Sequence, residues 1–167
     1  ESQKGSRTLD RPPRRRGGSA PKPGLSRHLD CILVARDRNG RTIDAVTELG
    51  ALTATQLERD LLPRVDPQAL LVTDSHAAYR AFARKHSIAH QTVNLRAGVR
   101  IRHSGSRAIH VQNVNAYHGR FKDWLRGFRG VASRYLTNYL GWRWALDGGR
   151  VSSAEQLFCI AVGVINR

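Results

Sequence analysis

The stretch Ala69-Leu70-Leu71-Val72-Thr73-Asp74-Ser75-His76-Ala77-Ala78-Tyr79 decides how the chain folds. Its first five residues form a short apolar run that stops at Asp74 and reads as a buried strand. A helix follows through Ala77, Tyr79, Ala81, Phe82 and Ala83. A carboxylate just past the C-terminal end of a buried strand stands where open α/β sheets place their ligands. Position alone leaves Asp74 two roles, a group facing a ligand or a cap on the helix that follows.

Upstream, Leu-Asp-Cys-Ile-Leu-Val-Ala-Arg-Asp (29–37) reads as a buried strand. Asn39-Gly40 is a two-residue hairpin signal, and Arg41 to Thr47 returns as a second strand. Thr53 or Thr55 can cap a helix carrying Leu57, Leu61 and Leu62 that Pro63 closes. Downstream, His90 to Leu95 alternates weakly, as an edge strand does, and residues 96–109 read as a basic loop. Val114, Tyr117, Phe121, Trp124, Leu125 and Phe128 then lie at helical spacing, a helix broken at Gly130. Tyr135, Leu136, Tyr139, Leu140, Trp142 and Leu146 form another, broken near Gly148-Gly149. Ser152 with Glu155 is a capping-box signature for a last helix bearing Leu157, Phe158, Ala161, Val164 and Ile165. The pattern is mixed α/β.

The charge is as informative as the pattern. Lys+Arg 28 against Asp+Glu 13 leaves 167 residues with a net charge of +15. So large an excess points to a polyanionic partner, nucleic acid before membrane. No apolar run approaches the ~18 residues that span a bilayer. Two cysteines, Cys31 and Cys159, build neither a disulfide framework nor a zinc site, which makes a reducing, cytoplasmic setting the default. Residues 1–28 hold eight basic side chains and four of the six prolines, and read as an extended basic arm. Beyond Asp74 the next acid is Asp123, so residues 75–122 contain no carboxylate. The same window carries Arg80, Arg84, Lys85, Arg96, Arg100, Arg102, Arg107, Arg120 and Lys122, with six of the seven histidines. A surface built for phosphates explains it better than a solvated charged face does. The chain starts at Glu1 and holds no methionine, which points to a fragment or a processed chain.

Within the window, Asn115 lies near the start of the amphipathic helix, off its apolar face. Lys122 follows two turns on, ~10 Å along the same side. An amide and a lysine so placed suit a metal or a phosphate, although Asn113 or Asn115 could instead cap the helix. His110 and His118 are candidates for acid–base work or phosphate contact, with packing as the alternative. Cys31, Cys159 and the tryptophans Trp124, Trp142 and Trp144 read as core.

Residues 71–79 resemble the second-acid motif of DDE-superfamily transposases of bacterial insertion sequences. His110-Val111-Gln112-Asn113-Val114-Asn115-Ala116-Tyr117-His118, continuing to Lys122, resembles their third-acid motif. The run from Gly130 to Arg143 is similar to the ISXO-type group, one branch of which has Asn in place of the last acid. The resemblance implies an RNase H-like mixed sheet flanked by helices, with residues 1–146 as catalytic domain and 147–167 as a helical tail. It implies phosphoryl transfer on DNA at transposon ends and target, with two Mg²⁺ (or Mn²⁺) ions, Asp74 as second carboxylate and Asn115 as third ligand. Lys122 would contact transposon-end DNA, and the window's Arg96, Arg100, Arg102, Arg107, His110 and Arg120 are the candidate phosphate contacts beside it. A homo-oligomer and a bacterial, nucleoid-associated location also follow from the resemblance.

In that family the first Asp lies on the first strand, upstream of Glu1. Asp30 and Asp37 do not stand at the matching position. The chain is therefore expected to lack the central strand of its sheet and to be inactive on its own. The alternative from another class is a non-enzymatic basic domain that binds nucleic acid, which explains the charge but gives no reason for Asp74.

Overall fold

A computed structural model describes residues 29–149, 151–162 and 164. The basic arm of residues 1–28 and Ile165 lie outside the described residues. Strand β1 (Asp30–Arg36) and strand β2 (Thr42–Leu49) form an antiparallel hairpin, in register from Arg36 opposite Thr42 to Ile32 opposite Val46. The hairpin turn is longer than the expected two residues. Asp37 N–H donates to Arg41 O and Gly40 N–H to Asp37 O, so Arg38, Asn39 and Gly40 make a three-residue loop. Gly40 closes it at φ +84°, the left-handed conformation that such a loop needs at its last residue.

Strand β1 is apolar without strict alternation because both its faces are covered. Leu33 packs with Leu52, Leu57, Leu61, Phe82, Ala83 and Ile88, the interior of helices α1 (Ala54–Asp60) and α2 (Ala77–Lys85). Its neighbour Ile32 points the opposite way, as the period of two requires. With Val46 it meets Phe121, Leu136 and Leu140 of helices α3 (Gln112–Arg126) and α4 (Leu136–Asp147). The hairpin is thus the middle layer between two pairs of helices.

Strand β3 (Leu71–Thr73), helix α2 and strand β4 (His90–Thr92) form a parallel β-α-β unit, Leu71 opposite His90 and Thr73 opposite Thr92. A third ladder, β5 (Arg102–Ser104) with β6 (Arg107–Ile109), occupies the region expected to be a plain loop. Its signal was Gly105-Ser106 between two short runs, a two-residue turn that Gly105 enters at φ +59°. The chain is α/β, as expected, but the described strands form three separate two-stranded ladders and no continuous mixed sheet. Among the described residues, β1 and β3 each pair on one side only.

The caps show how closely local chemistry sets the helices. Thr53 Oγ1 accepts from Gln56 N–H, while Gln56 Oε1 accepts from Thr53 N–H, a reciprocal box that starts α1. The last helix, α5 (Ala154–Ala161), begins one residue later than expected. Ser153, not Ser152, takes the Gln156 N–H, and Gln156, not Glu155, reaches back to Ser152.

Candidate functional site

Between β1 and β3 the structure opens a cleft of about 950 Å³. One wall is Leu33 to Asp37, the other Ala69 to Asp74, and the first turns of α3 add Asn113, Asn115 and His118. Asp74 and Asn115, 41 positions apart in the chain, therefore line one cavity. His110 lines it too, while Lys122, Arg100, Arg102, Arg107 and Arg120 stand outside it. The side chain of Arg96 lies outside the described residues; its backbone sits in a single 3-10 turn, Leu95–Ala97.

The end of β3 is fixed from several sides. The Thr73 hydroxyl donates to Asp74 O at 2.8 Å, so the 2.8 Å contact with His90 Nε2 has the imidazole as donor. Burial, helped by the nearby Arg80, holds His90 below the usual histidine pKa. Asp74 Oδ1 accepts the His76 N–H at 3.0 Å, and the cap of α2 is His76, whose Nδ1 accepts from Ala78 N–H. Asp74 thus turns the chain into the helix without capping it. Its side chain is exposed. Tyr79, also on the cleft wall, is pushed up to about 12 by burial, then by the charge of Asp74 and of Cys31. The phenol stays protonated beside the carboxylate.

On the opposite wall, α3 starts at Val111 with no side-chain cap, and Asn115 lies one turn inside. Neither Asn113 nor Asn115 caps it. Asn115 is exposed and its amide has no hydrogen-bond partner among the described residues. His118, one turn further on, is held below the usual histidine pKa by burial and then by Lys122, which keeps it neutral. The Nδ1 of His110 is buried and has no partner among the described residues.

Two cleft groups were not picked out from the sequence. Asp37 lines the cleft, although its Oδ1 also accepts the Arg41 N–H at 2.8 Å. Arg36 lines it and reaches Asp147 at 2.7 Å, its guanidinium 5.3 Å from the Tyr117 ring centre. Both follow directly on the apolar run of β1, the same strand-end position that singled out Asp74. Asp147 also receives Arg120 at 3.0 Å and Arg143 at 3.4 Å. Arg120 therefore offers phosphate only the part of its guanidinium that Asp147 leaves free. Asp30 is elsewhere, accepting from the Ser133 hydroxyl at 2.6 Å.

The donors available to a cation are hard oxygens, the exposed Asp74 carboxylate and the Asn115 amide, with the Asp37 carboxylate on the facing wall, which suits Mg²⁺ with most of its waters retained. Among the described residues no three of His, Cys, Asp and Glu come together as a metal cage. No described helix is long and apolar enough to cross a membrane. No curated protein sequence and no solved structure matches the chain. Residues 4–144 match the ISXO2-like transposase domain. That match covers most of the chain and takes in Asp74, Asn115 and Lys122, and the chain belongs to the ISXO2-like transposase family, insertion-sequence transposases of the DDE type.

Proposed function

We propose that the cleft is the catalytic centre of a transposase that cuts and joins DNA strands at insertion-sequence ends with the help of divalent cations. The observation that carries the proposal is that Asp74 and Asn115 line the same cleft, both exposed and bordered by a segment with no carboxylate. Asp74 and Asn115 are the ligands for Mg²⁺ or Mn²⁺, with two ions in the complete site. A cation held there supplies Lewis acidity toward a phosphodiester oxygen. Lys122, with Arg100, Arg102 and Arg107, holds the DNA backbone by charge. His118, held below the usual histidine pKa, can accept a proton at the cleft, and Tyr79, which keeps its own proton, can donate a hydrogen bond there.

The fold follows the same proposal. An RNase H-like sheet would have one more strand, antiparallel to β1 and parallel to β3, and the cleft between these two strands, each paired on one side only among the described residues, is the place for it. Such a strand would carry the first carboxylate to face Asp74. A protein that binds DNA without cutting it is the second reading, favoured by the carboxylate-free basic segment 75–122, which suits phosphate contact without any catalysis.

Cleavage of element-end DNA in Mg²⁺ or Mn²⁺ by the intact transposase separates the two. Asp74→Ala and Asn115→Ala should each lower the rate about a hundredfold, as loss of a charge-stabilising group does. Asn115→Asp should retain activity and need less metal. Undiminished cleavage by Asp74→Ala would overturn the assignment.

A further inference from the structure

The β5–β6 hairpin has no part in the interior. Arg102, His103 and Ser104 are all exposed, as is Arg107, and Ile109, 2% exposed, is the one buried residue of the ladder. A two-stranded ribbon with three residues per strand and no apolar face contributes little to stability. Its tip stands in open space, since a side chain added at Gly105 would meet nothing within 4 Å. Cross-strand partners share a face, so Arg102, Ser104 and Arg107 lie together with Ile109, which is buried at the ribbon's base, and His103 with Ala108 lies on the other. Arg100, Arg102 and Arg107 have no ion pair among the described residues, in a segment that holds no acid to supply one.

The ribbon also has a fixed relation to the cleft. Leu95 before it and His110 after it both line the cleft, so the intervening residues leave from its rim and return to it. Arg38, on the cleft wall at the β1–β2 turn, donates from its guanidinium to Ala108 O, which ties β6 to that wall.

We infer that the β5–β6 hairpin is a two-stranded ribbon that enters the major groove of duplex DNA and so sets the duplex against the cleft. The partner rests on the proposed function. The groove rests on shape: a strand pair with side chains on both faces fits the ~12 Å major groove and is too broad for the ~6 Å minor groove. Arg102 and Arg107 meet the groove walls, where phosphate and guanine edges both accept from guanidinium.

The test is binding of a short mixed-sequence duplex with EDTA present, so that the result stands even if the cation-site proposal fails in the cleavage assay. Two duplexes are compared, one plain and one whose cytosines are replaced by glucosylated 5-hydroxymethylcytosine, which fills the major groove. The protein should bind the glucosylated duplex about tenfold more weakly. Arg102→Ala with Arg107→Ala should bind both duplexes alike and lower the salt slope of binding by about 2. These side chains are exposed, so the variant should keep the helical circular dichroism of the parent. Equal binding of both duplexes by the parent protein, or displacement by netropsin from the minor groove, would overturn the inference. So would an unchanged salt slope in the folded double variant.

Discussion

Among the described residues Tyr117 is the largest side chain sealed completely from solvent, and its hydroxyl donates at 2.9 Å to Oδ2 of Asp44, itself only 5% exposed. A hydrogen bond to a charged acceptor in such surroundings contributes about 1.5–3 kcal/mol. Tyr117→Phe should lower the urea unfolding free energy by that amount while leaving the ring's packing intact. Asn115, two residues away on the same helix, is the opposite case. Its side chain is exposed and has no hydrogen-bond partner among the described residues, so Asn115→Ala should change stability by less than about 0.5 kcal/mol whatever it does to cleavage. The two substitutions separate a residue the fold needs from one it does not. The sequence marked Tyr117 as core through its spacing with Phe121 and Trp124. Nothing in it could pair Tyr117 with Asp44, 73 residues earlier, because that contact exists only once α3 lies across the hairpin.

At the level of elements, Asp147 ends α4 and joins three of them. Arg36 comes from the end of β1, Arg120 from α3 and Arg143 from one turn back on α4. A carboxylate at a helix C-terminus opposes the helix dipole, so without these partners it would weaken α4. Burial alone would raise its pKa, but the bonds to Arg36 and Arg120 outweigh this and lower it. A depressed carboxylate stabilises the fold above its unfolded value near 3.8, and the contribution disappears as pH falls through the lower folded value. Asp147→Asn should therefore cost about 2–4 kcal/mol at neutral pH and flatten the acid limb of a Tm-against-pH curve. Elements with strong local signals were legible: the β1–β2 hairpin, β3 running into α2, the long helix α3. Those set by a single residue's choice slipped. The cap of α5 moved from Ser152 to Ser153, since both serines satisfy the rule, and β5–β6 went unseen because its strands carry arginine and histidine where a strand reading looks for apolar alternation.

For the molecule as a whole, a charge of +15 on 167 residues is a standing repulsion. Raising ionic strength from about 0.01 M to about 0.1 M shortens the screening length from ~30 Å to ~10 Å. The melting temperature should rise over that range, measured by calorimetry, and a fall would mean that ion pairs such as the Asp147 cluster outweigh the repulsion. Of the candidate site, the sequence supplied Asp74 and Asn115 as separate strand-end and helix-face residues. Their shared cleft, and the places of Asp37 and Arg36 in it, depend on packing between β1, β3 and α3 that no local pattern encodes. Among the described residues β1 and β3 each keep one edge unpaired, and this has a practical consequence. An open strand edge is a template for any other chain that passes, so concentrated preparations of this polypeptide should cross-link edge to edge into non-covalent multimers. Added salt would hasten this by removing the mutual repulsion of the copies, and the handling conditions that best preserve each fold would also be those that favour clumping.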